Sequence, residues 1–252
     1  MRFENKTVIV TGAGSGIGAA TARRFSREGA KVVLNGRGRE KLEAVAAELP
    51  AARTMIATGD VSIRGDVERM MADALARFET IDILVNNAGV ARPGRLDDYA
   101  VEDWDSTMAI DVTALFHTCQ AALPSLRAVG GSIVNVSSVS GIGGDWGMFA
   151  YNAAKGAVSN MTRSLALELA PEIRVNAVAP SLTMTEMTSG MKDNDALLAK
   201  FYERISMGRG AKPEEVGDVI AFLASADARF VTGVVLPVDG GLSASNGQPP
   251  LN

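Results

Sequence analysis

Seven short runs of apolar, largely β-branched residues frame this chain: Thr7–Val10, Lys31–Leu34, Arg53–Ala57, Ile83–Val85, Ser132–Val136, Arg174–Val178 and Val234–Val238. Several are apolar throughout instead of alternating, which is how a strand covered on both faces reads. Helical patterns fill most of the intervals, at Gly16–Glu28, Glu40–Glu48, Gly65–Phe78, Trp104–Leu123, Tyr151–Leu169 and Pro213–Ala224. Parallel neighbours need such crossovers, and the crossovers are right-handed. The expected architecture is α/β: a doubly wound, mostly parallel seven-stranded sheet with helices on both faces.

No repeat, low-complexity tract or linker divides the 252 residues, so a single domain is expected. The interval 181–212 lacks a clear element and holds Met184, Met187, Met191, Met207, Phe201 and Tyr202. An unstructured stretch of that length points to a lid, either a long loop or a small helical flap. The tail 243–252 is polar and rich in Pro and Gly, and is expected to be mobile. The first apolar run is too short for a signal-peptide core or a membrane span, so a soluble, untargeted protein is expected.

The first strand runs directly into Thr11-Gly12-Ala13-Gly14-Ser15-Gly16-Ile17-Gly18 and then into a helix. Glycines there let backbone approach a pyrophosphate, and the helix start offers free N–H groups and a partial positive charge. The spelling is weak evidence alone; its place behind the first strand of such a sheet makes it strong. At the end of the second strand an acid would hold a ribose 2′-OH and select NAD. Here Asn35-Gly36-Arg37-Gly38-Arg39 stands instead, and Arg37 suits a 2′-phosphate. NADP(H) is therefore the expected cofactor, with NAD(H) the alternative.

Composition narrows the chemistry. A net charge of -4 argues against general nucleic-acid binding. Cys119 is the lone cysteine and His117 the lone histidine, so no disulfide, cysteine metal site or zinc site is expected, and a reducing cytoplasm fits. Tyr151 and Lys155 stand four apart at the start of a helical pattern and so share a face. Free tyrosine ionises near pH 10, too high for acid–base work at neutrality; a neighbouring ammonium favours the phenolate. Such a tyrosine can exchange a proton with an alcohol or ketone. Ser138, just past the fifth run, could hold the substrate oxygen.

Together these motifs make the chain resemble the short-chain dehydrogenase/reductase family, with a Rossmann fold, over nearly its whole length. Thr11 to Gly18 matches TGxxxGxG, Asn86-Asn87-Ala88-Gly89 matches NNAG, and Ser138 with Tyr151 and Lys155 matches the catalytic serine and YxxxK. Arg174 to Pro180 matches the strand before the nicotinamide carboxamide site, and Asp239-Gly240-Gly241 the last strand's end. The resemblance implies a hydride-transferring oxidoreductase acting on a ketone or secondary alcohol. It implies cofactor contacts at Gly12, Ser15, Gly16, Ile17, Gly18, Arg37, Asp60, Val61, Asn87, Ala88, Gly89, Tyr151, Lys155, Pro180, Thr183 and Thr185.

Two positions depart from the pattern. Asp111 stands where the family has the asparagine that completes its catalytic set and helps fix a helix irregularity. Ser181 replaces the glycine after Pro180, which would start the lid differently if a positive φ were needed. A nucleotide-binding sensor or scaffold without turnover is the competing class, and a longer-chain epimerase or dehydratase a third reading. Trp146, Met148, Met184, Met187, Met191 and Phe201 are expected to line or cover an apolar pocket. Ile110, Ala114, Leu115, Phe116, Val158, Met161, Leu165 and Leu169 are more apolar residues than one helix face needs. The resemblance implies that they pair across a two-fold axis in a homotetramer.

Overall fold

The computed structural model describes residues 1–248. Seven strands form one sheet in the order β3-β2-β1-β4-β5-β6-β7, and every pairing is parallel. They are β1 (Thr7–Val10), β2 (Lys31–Gly36), β3 (Thr54–Thr58), β4 (Ile83–Asn86), β5 (Ser132–Val136), β6 (Arg174–Pro180) and β7 (Val235–Val238). All seven expected strands are present. Pro237 lies in β7, an edge strand, where the lost N–H costs no interior ladder bond.

Strand alternation feeds two cores. Ile9, Val33, Leu84, Ile133 and Val175 face one side and pack with α3 (Arg64–Phe78), α5 (Ala114–Val129) and α6 (Phe149–Leu169). Val8, Val10, Val32, Leu34, Val85 and Val134 face the other, against α1 (Gly16–Arg27), α2 (Arg39–Ala46) and α8 (Pro213–Ala224). Covering on both faces is why these strands read as continuously apolar.

Two features differ from the sequence reading, and the helix within 181–212 decides between its alternatives. The helix expected over Trp104–Leu123 begins earlier, as α4 (Val101–Met108), and passes through a π-helical turn, Ala109–Thr113, into α5. The interval 181–212 contains α7 (Asp195–Arg204), whose start is capped by the Asn194 side chain accepting from Leu197 N at 3.0 Å. Of the eight residues assigned to a two-fold interface, Ala114, Leu115, Val158 and Leu169 are buried within this chain's own core, because α5 and α6 lie directly over the sheet. Phe116 is exposed, and so, unanticipated, are Leu167 and Phe230. Of the tail, 249–252 lies outside the described residues; Ser243 N donates to Asp239 Oδ2 at 2.8 Å. No helix among the described residues is long and apolar enough to cross a membrane, and none of their acidic, His or Cys groups cluster as a metal site.

Candidate active site

The strand order reverses between β1 and β4, and a doubly wound sheet opens a crevice at the carboxyl ends beside such a switch. Thr11 ties the two strand ends together: its Oγ1 accepts from Asn87 N at 2.9 Å and from Ala88 N at 3.0 Å. The Asn87 amide donates to Thr11 O at 2.9 Å. The glycine turn is thus braced from the β4 side. A Cβ on Gly18 would sit 2.2 Å from Gly12 O, so only glycine lets α1 start this close to the turn. The first turn of α1 carries no acidic residue, and Ser15 precedes it in extended backbone. The cradle therefore fits a dinucleotide's pyrophosphate: small residues, free N–H groups and no competing anion.

A cleft of about 310 Å³ opens over this turn. Gly12, Ser15, Gly16 and Ile17 floor it; Asn87, Ala88 and Gly89 form one side; Ser138, Tyr151 and Lys155 form the other; Pro180, Thr183 and Thr185 close the end. Thus most of the residues predicted for the site share one cavity. Gly18 sits beneath it as the packing contact just described.

Tyr151 and Lys155 stand one turn apart near the start of α6, with the Lys155 Nζ 5.6 Å from the Tyr151 ring centre. Lys155 is buried and donates to Val136 O at 3.1 Å. Its Nζ lies 3.9 Å from Asp111 Oδ2. Asp111 Oδ1 accepts from Val90 N at 2.8 Å, while Oδ2 has no hydrogen-bond partner. Burial pushes the Asp111 carboxyl above the usual carboxylate range, opposed by the Lys155 ammonium and the Val90 N–H. A Cβ on Gly89 would fall 2.8 Å from Asp111 Oδ1 and 3.1 Å from Lys155 Nζ, so this pair has room only beside a glycine. Asp111 does not border the cleft. It sits behind Lys155, beside a void of about 10 Å³ that Val61 also lines.

Arg37 and Asp60 lie away from the cleft at the far ends of β2 and β3. Arg37 is 68% exposed at its side chain, with Nη1 3.7 Å from Asp60 Oδ2. Of the six residues expected to line or cover the pocket, only Met187 lines it; Trp146 is 99% exposed, and Leu182 and Thr188 also line it. Arg92 pairs with Asp103 on α4 at 3.0 Å and is a surface group. Sequence reasoning passed over Ser140, Asp145 and Asn152. The Ser140 hydroxyl bridges Ser138 and Asp145, and the Asn152 amide donates to Asp145 O at 3.0 Å. It also passed over Lys41 on α2, which meets Glu186 of the 181–212 segment at the surface. Nothing in residue spacing marks either contact.

This geometry finds its counterpart in known proteins. A family model described as enoyl-(acyl carrier protein) reductase matches residues 12–243. Over 252 residues, all of both chains, the sequence is 48% identical to meso-2,3-butanediol dehydrogenase of Serratia marcescens. A solved structure described as a short-chain dehydrogenase/reductase of the glucose/ribitol dehydrogenase type, from Brucella melitensis, superposes with a TM-score of 0.92 at 39% identity, covering 96% of this chain and 98% of that one. The chain belongs to the short-chain dehydrogenase/reductase family. It is accordingly an oxidoreductase of alcohol and ketone carbons that uses NAD(H) or NADP(H). Another short-chain structure, 3-ketoacyl-(acyl-carrier-protein) reductase from Brucella melitensis complexed with NADH, has a TM-score of 0.90 at 35% identity over 96% of this chain and 99% of its own. None of these relatives supports a protein that binds nucleotide without turnover.

Both departures from the family pattern now have a structural account. Asp111 occupies the π-helical turn and holds Val90, so the helix irregularity is present with an acid in it. Ser181 is not among the residues with positive φ, so no glycine is needed there. Its hydroxyl donates to Asp239 O at 3.2 Å and joins the start of the 181–212 segment to the end of β7.

Proposed function

We propose that this enzyme interconverts a small secondary alcohol, a vicinal diol among the first to test, with its ketone, using NADP(H) in preference to NAD(H). The observation that carries the chemistry is the meeting of Ser138, Tyr151 and Lys155 in one cleft with the glycine turn. The diol is suggested by the full-length similarity to meso-2,3-butanediol dehydrogenase.

When bound, the nicotinamide ring supplies or accepts the hydride. Gly12, Ser15, Gly16 and Ile17 would hold the pyrophosphate, with Gly18 letting the helix pack beneath them, and Arg37 the 2′-phosphate. Asp60 and Val61 take the adenine, and Asn87, Ala88 and Gly89 the adenosine ribose. Tyr151 and Lys155 reach the nicotinamide ribose, and Pro180, Thr183 and Thr185 the carboxamide. Ser138 holds the substrate oxygen. Tyr151 Oη exchanges a proton with that oxygen while the carbon changes oxidation state. The Lys155 ammonium, held by Val136 O, favours the phenolate form. Asp111 acts on Lys155 from behind, as a positioning residue.

The segment 181–212 is the substrate lid of a single domain. Exposed Phe116, Leu167 and Phe230 fit assembly into a homotetramer, and one buried cysteine fits the cytoplasm. Nicotinamide absorbance, followed with each nucleotide against diols, hydroxyketones and simple ketones, tests the reading. No turnover with any of them, or equal rates after Ser138→Ala, would overturn it.

A further inference from the structure

A short backbone bridge holds the start of the 181–212 segment. Ala211 N donates to Leu182 O at 2.9 Å, and Met184 N donates to Ala211 O at 3.0 Å. In such a parallel bridge the residue between them, Thr183, turns its own N–H and C=O to the opposite edge. The Thr183 hydroxyl donates to Ser181 O at 3.0 Å, so its side chain is occupied as well.

On that opposite edge stands Thr188. Its Oγ1 donates to Thr183 O at 2.8 Å and accepts from Thr185 N at 3.0 Å. Thr185 O is further off, at 3.2 Å, so the single hydroxyl proton favours the Thr183 carbonyl. Thr188 directly precedes the turn Ser189–Met191, where a threonine ordinarily accepts from the N–H groups ahead of it. It makes no such cap, and its hydroxyl reaches back instead. Thr183, Thr185 and Thr188 all line the cleft. The bonds to Thr188 use only the backbone of Thr185 and leave the Thr185 hydroxyl for the cleft.

We propose that Thr188 is a positioning residue for the nicotinamide carboxamide. One hydroxyl spans the backbone of residues 183 and 185, and so fixes together the direction of the Thr183 carbonyl and the place of the Thr185 hydroxyl. A carbonyl oxygen has two lone pairs: Thr188 takes one, and the second serves a carboxamide N–H. The inference rests on the reading that Thr183 and Thr185 meet the carboxamide. It makes recognition of that group depend on a hydroxyl further along the segment, which no spacing motif marks.

Binding separates this role from a purely structural one. Thr188→Val keeps the branched shape and removes the hydroxyl, whereas Thr188→Ser keeps the hydroxyl. Calorimetric Kd values are measured with three probes: NADP, 2′-phospho-ADP-ribose, which lacks the nicotinamide, and 3-acetylpyridine adenine dinucleotide phosphate, in which a methyl replaces the carboxamide nitrogen. The corresponding NAD series serves equally. Thr188→Val should weaken NADP by about three- to tenfold, the worth of one such hydrogen bond. Its affinity for 2′-phospho-ADP-ribose should hold, which also shows that the variant is folded. The acetylpyridine nucleotide has no N–H to give and should be weakened less, so the parent's preference for the carboxamide narrows. Thr188→Ser should restore the parent values.

Equal weakening of NADP and the acetylpyridine nucleotide would show that Thr188 only keeps the segment in shape, and would overturn the proposal. Unchanged or tighter NADP binding, lost affinity for 2′-phospho-ADP-ribose, or a Thr188→Ser variant no better than Thr188→Val would overturn it too. Thr185→Val separates the two readings. If it leaves NADP affinity and the carboxamide preference untouched, or if the parent has no such preference, the carboxamide reading itself falls. A weakened Thr185→Val beside an unaffected Thr188→Val removes only this inference.

Discussion

Lys155 Nζ and Asp111 Oδ2 face each other across 3.9 Å, with both side chains buried. The pair sits behind the cleft, and its two members experience burial differently: the Lys155 ammonium has Val136 O as a partner, while Asp111 Oδ2 has none. Burial raises the Asp111 carboxyl pKa in the fold, against the pull of Lys155 and Val90. A carboxyl of that kind contributes its full stability below the usual carboxylate pKa of about 4 and loses it as pH climbs through the folded value. Asp111→Asn should therefore melt higher than the parent at neutral pH, with the gain vanishing below about pH 4. Melting curves across that range check it; a lower melting point at pH 7 would show that the attraction to Lys155 outweighs burial. Activity is expected to stay within roughly tenfold, about 1.4 kcal/mol of barrier, with a displaced pH–rate profile for alcohol oxidation.

Tyr151→Phe keeps the ring in place and removes the proton path. Turnover should fall by about 10²–10⁴ while nucleotide affinity holds. Lys155→Ala should weaken nucleotide binding as well as turnover, because the same ammonium faces both. Titration of each variant with nucleotide, set beside its kcat, distinguishes the two patterns; near-parent turnover in Tyr151→Phe would assign the acid–base role elsewhere.

Arg37 is exposed and 3.7 Å from Asp60, free to turn toward a phosphate. Arg37→Asp should shift the kcat/KM preference from NADPH toward NADH by at least about tenfold, by losing an attraction and adding a repulsion. Arg37→Ser, which avoids two neighbouring acids, should shift it less. A parent enzyme that already prefers NADH would contradict the assignment.

How much of this was legible beforehand depended on distance along the chain. The seven strands and the Thr11–Gly18 turn are local patterns, and each stands where expected. The π-helical turn was legible only through the family resemblance, since no local pattern marks it and Asp111 there meets Val90, twenty-one residues earlier. The helix in 181–212 was expected only as one of two alternatives and not located, because its apolar stripe is thin, with Leu198 its one buried residue. Trp146 was expected to line or cover the pocket with five other apolar residues, and the fold leaves it exposed. The Ser138–Ser140–Asp145 chain depends on the shape of one loop, which no spacing encodes.

Arg174 illustrates a structural role that family motifs conceal. Its guanidinium donates to the carbonyls of Leu223, Ala224 and Ser225 at the end of α8, and to Val231 O. These are the acceptors a helix terminus leaves unpaired, and a cation there also meets the negative end of the helix. Arg174→Ala should cost about 2–4 kcal/mol, and Lys should recover little, since a single ammonium cannot serve four carbonyls. Urea unfolding measures this; a loss below about 0.5 kcal/mol would mean water replaces the guanidinium.

Glu186 pairs with Lys41 on α2 at the surface, and Thr185 lies 3.1 Å from where a Cβ on Gly16 would be. The proposed substrate lid thus touches the turn proposed to hold the nucleotide. A substrate arriving first would meet an empty nucleotide site, whereas a nucleotide arriving first would narrow the cleft around the substrate's place. Nucleotide is therefore expected to bind before substrate and to leave after product, an order that product-inhibition patterns check and that random binding would contradict.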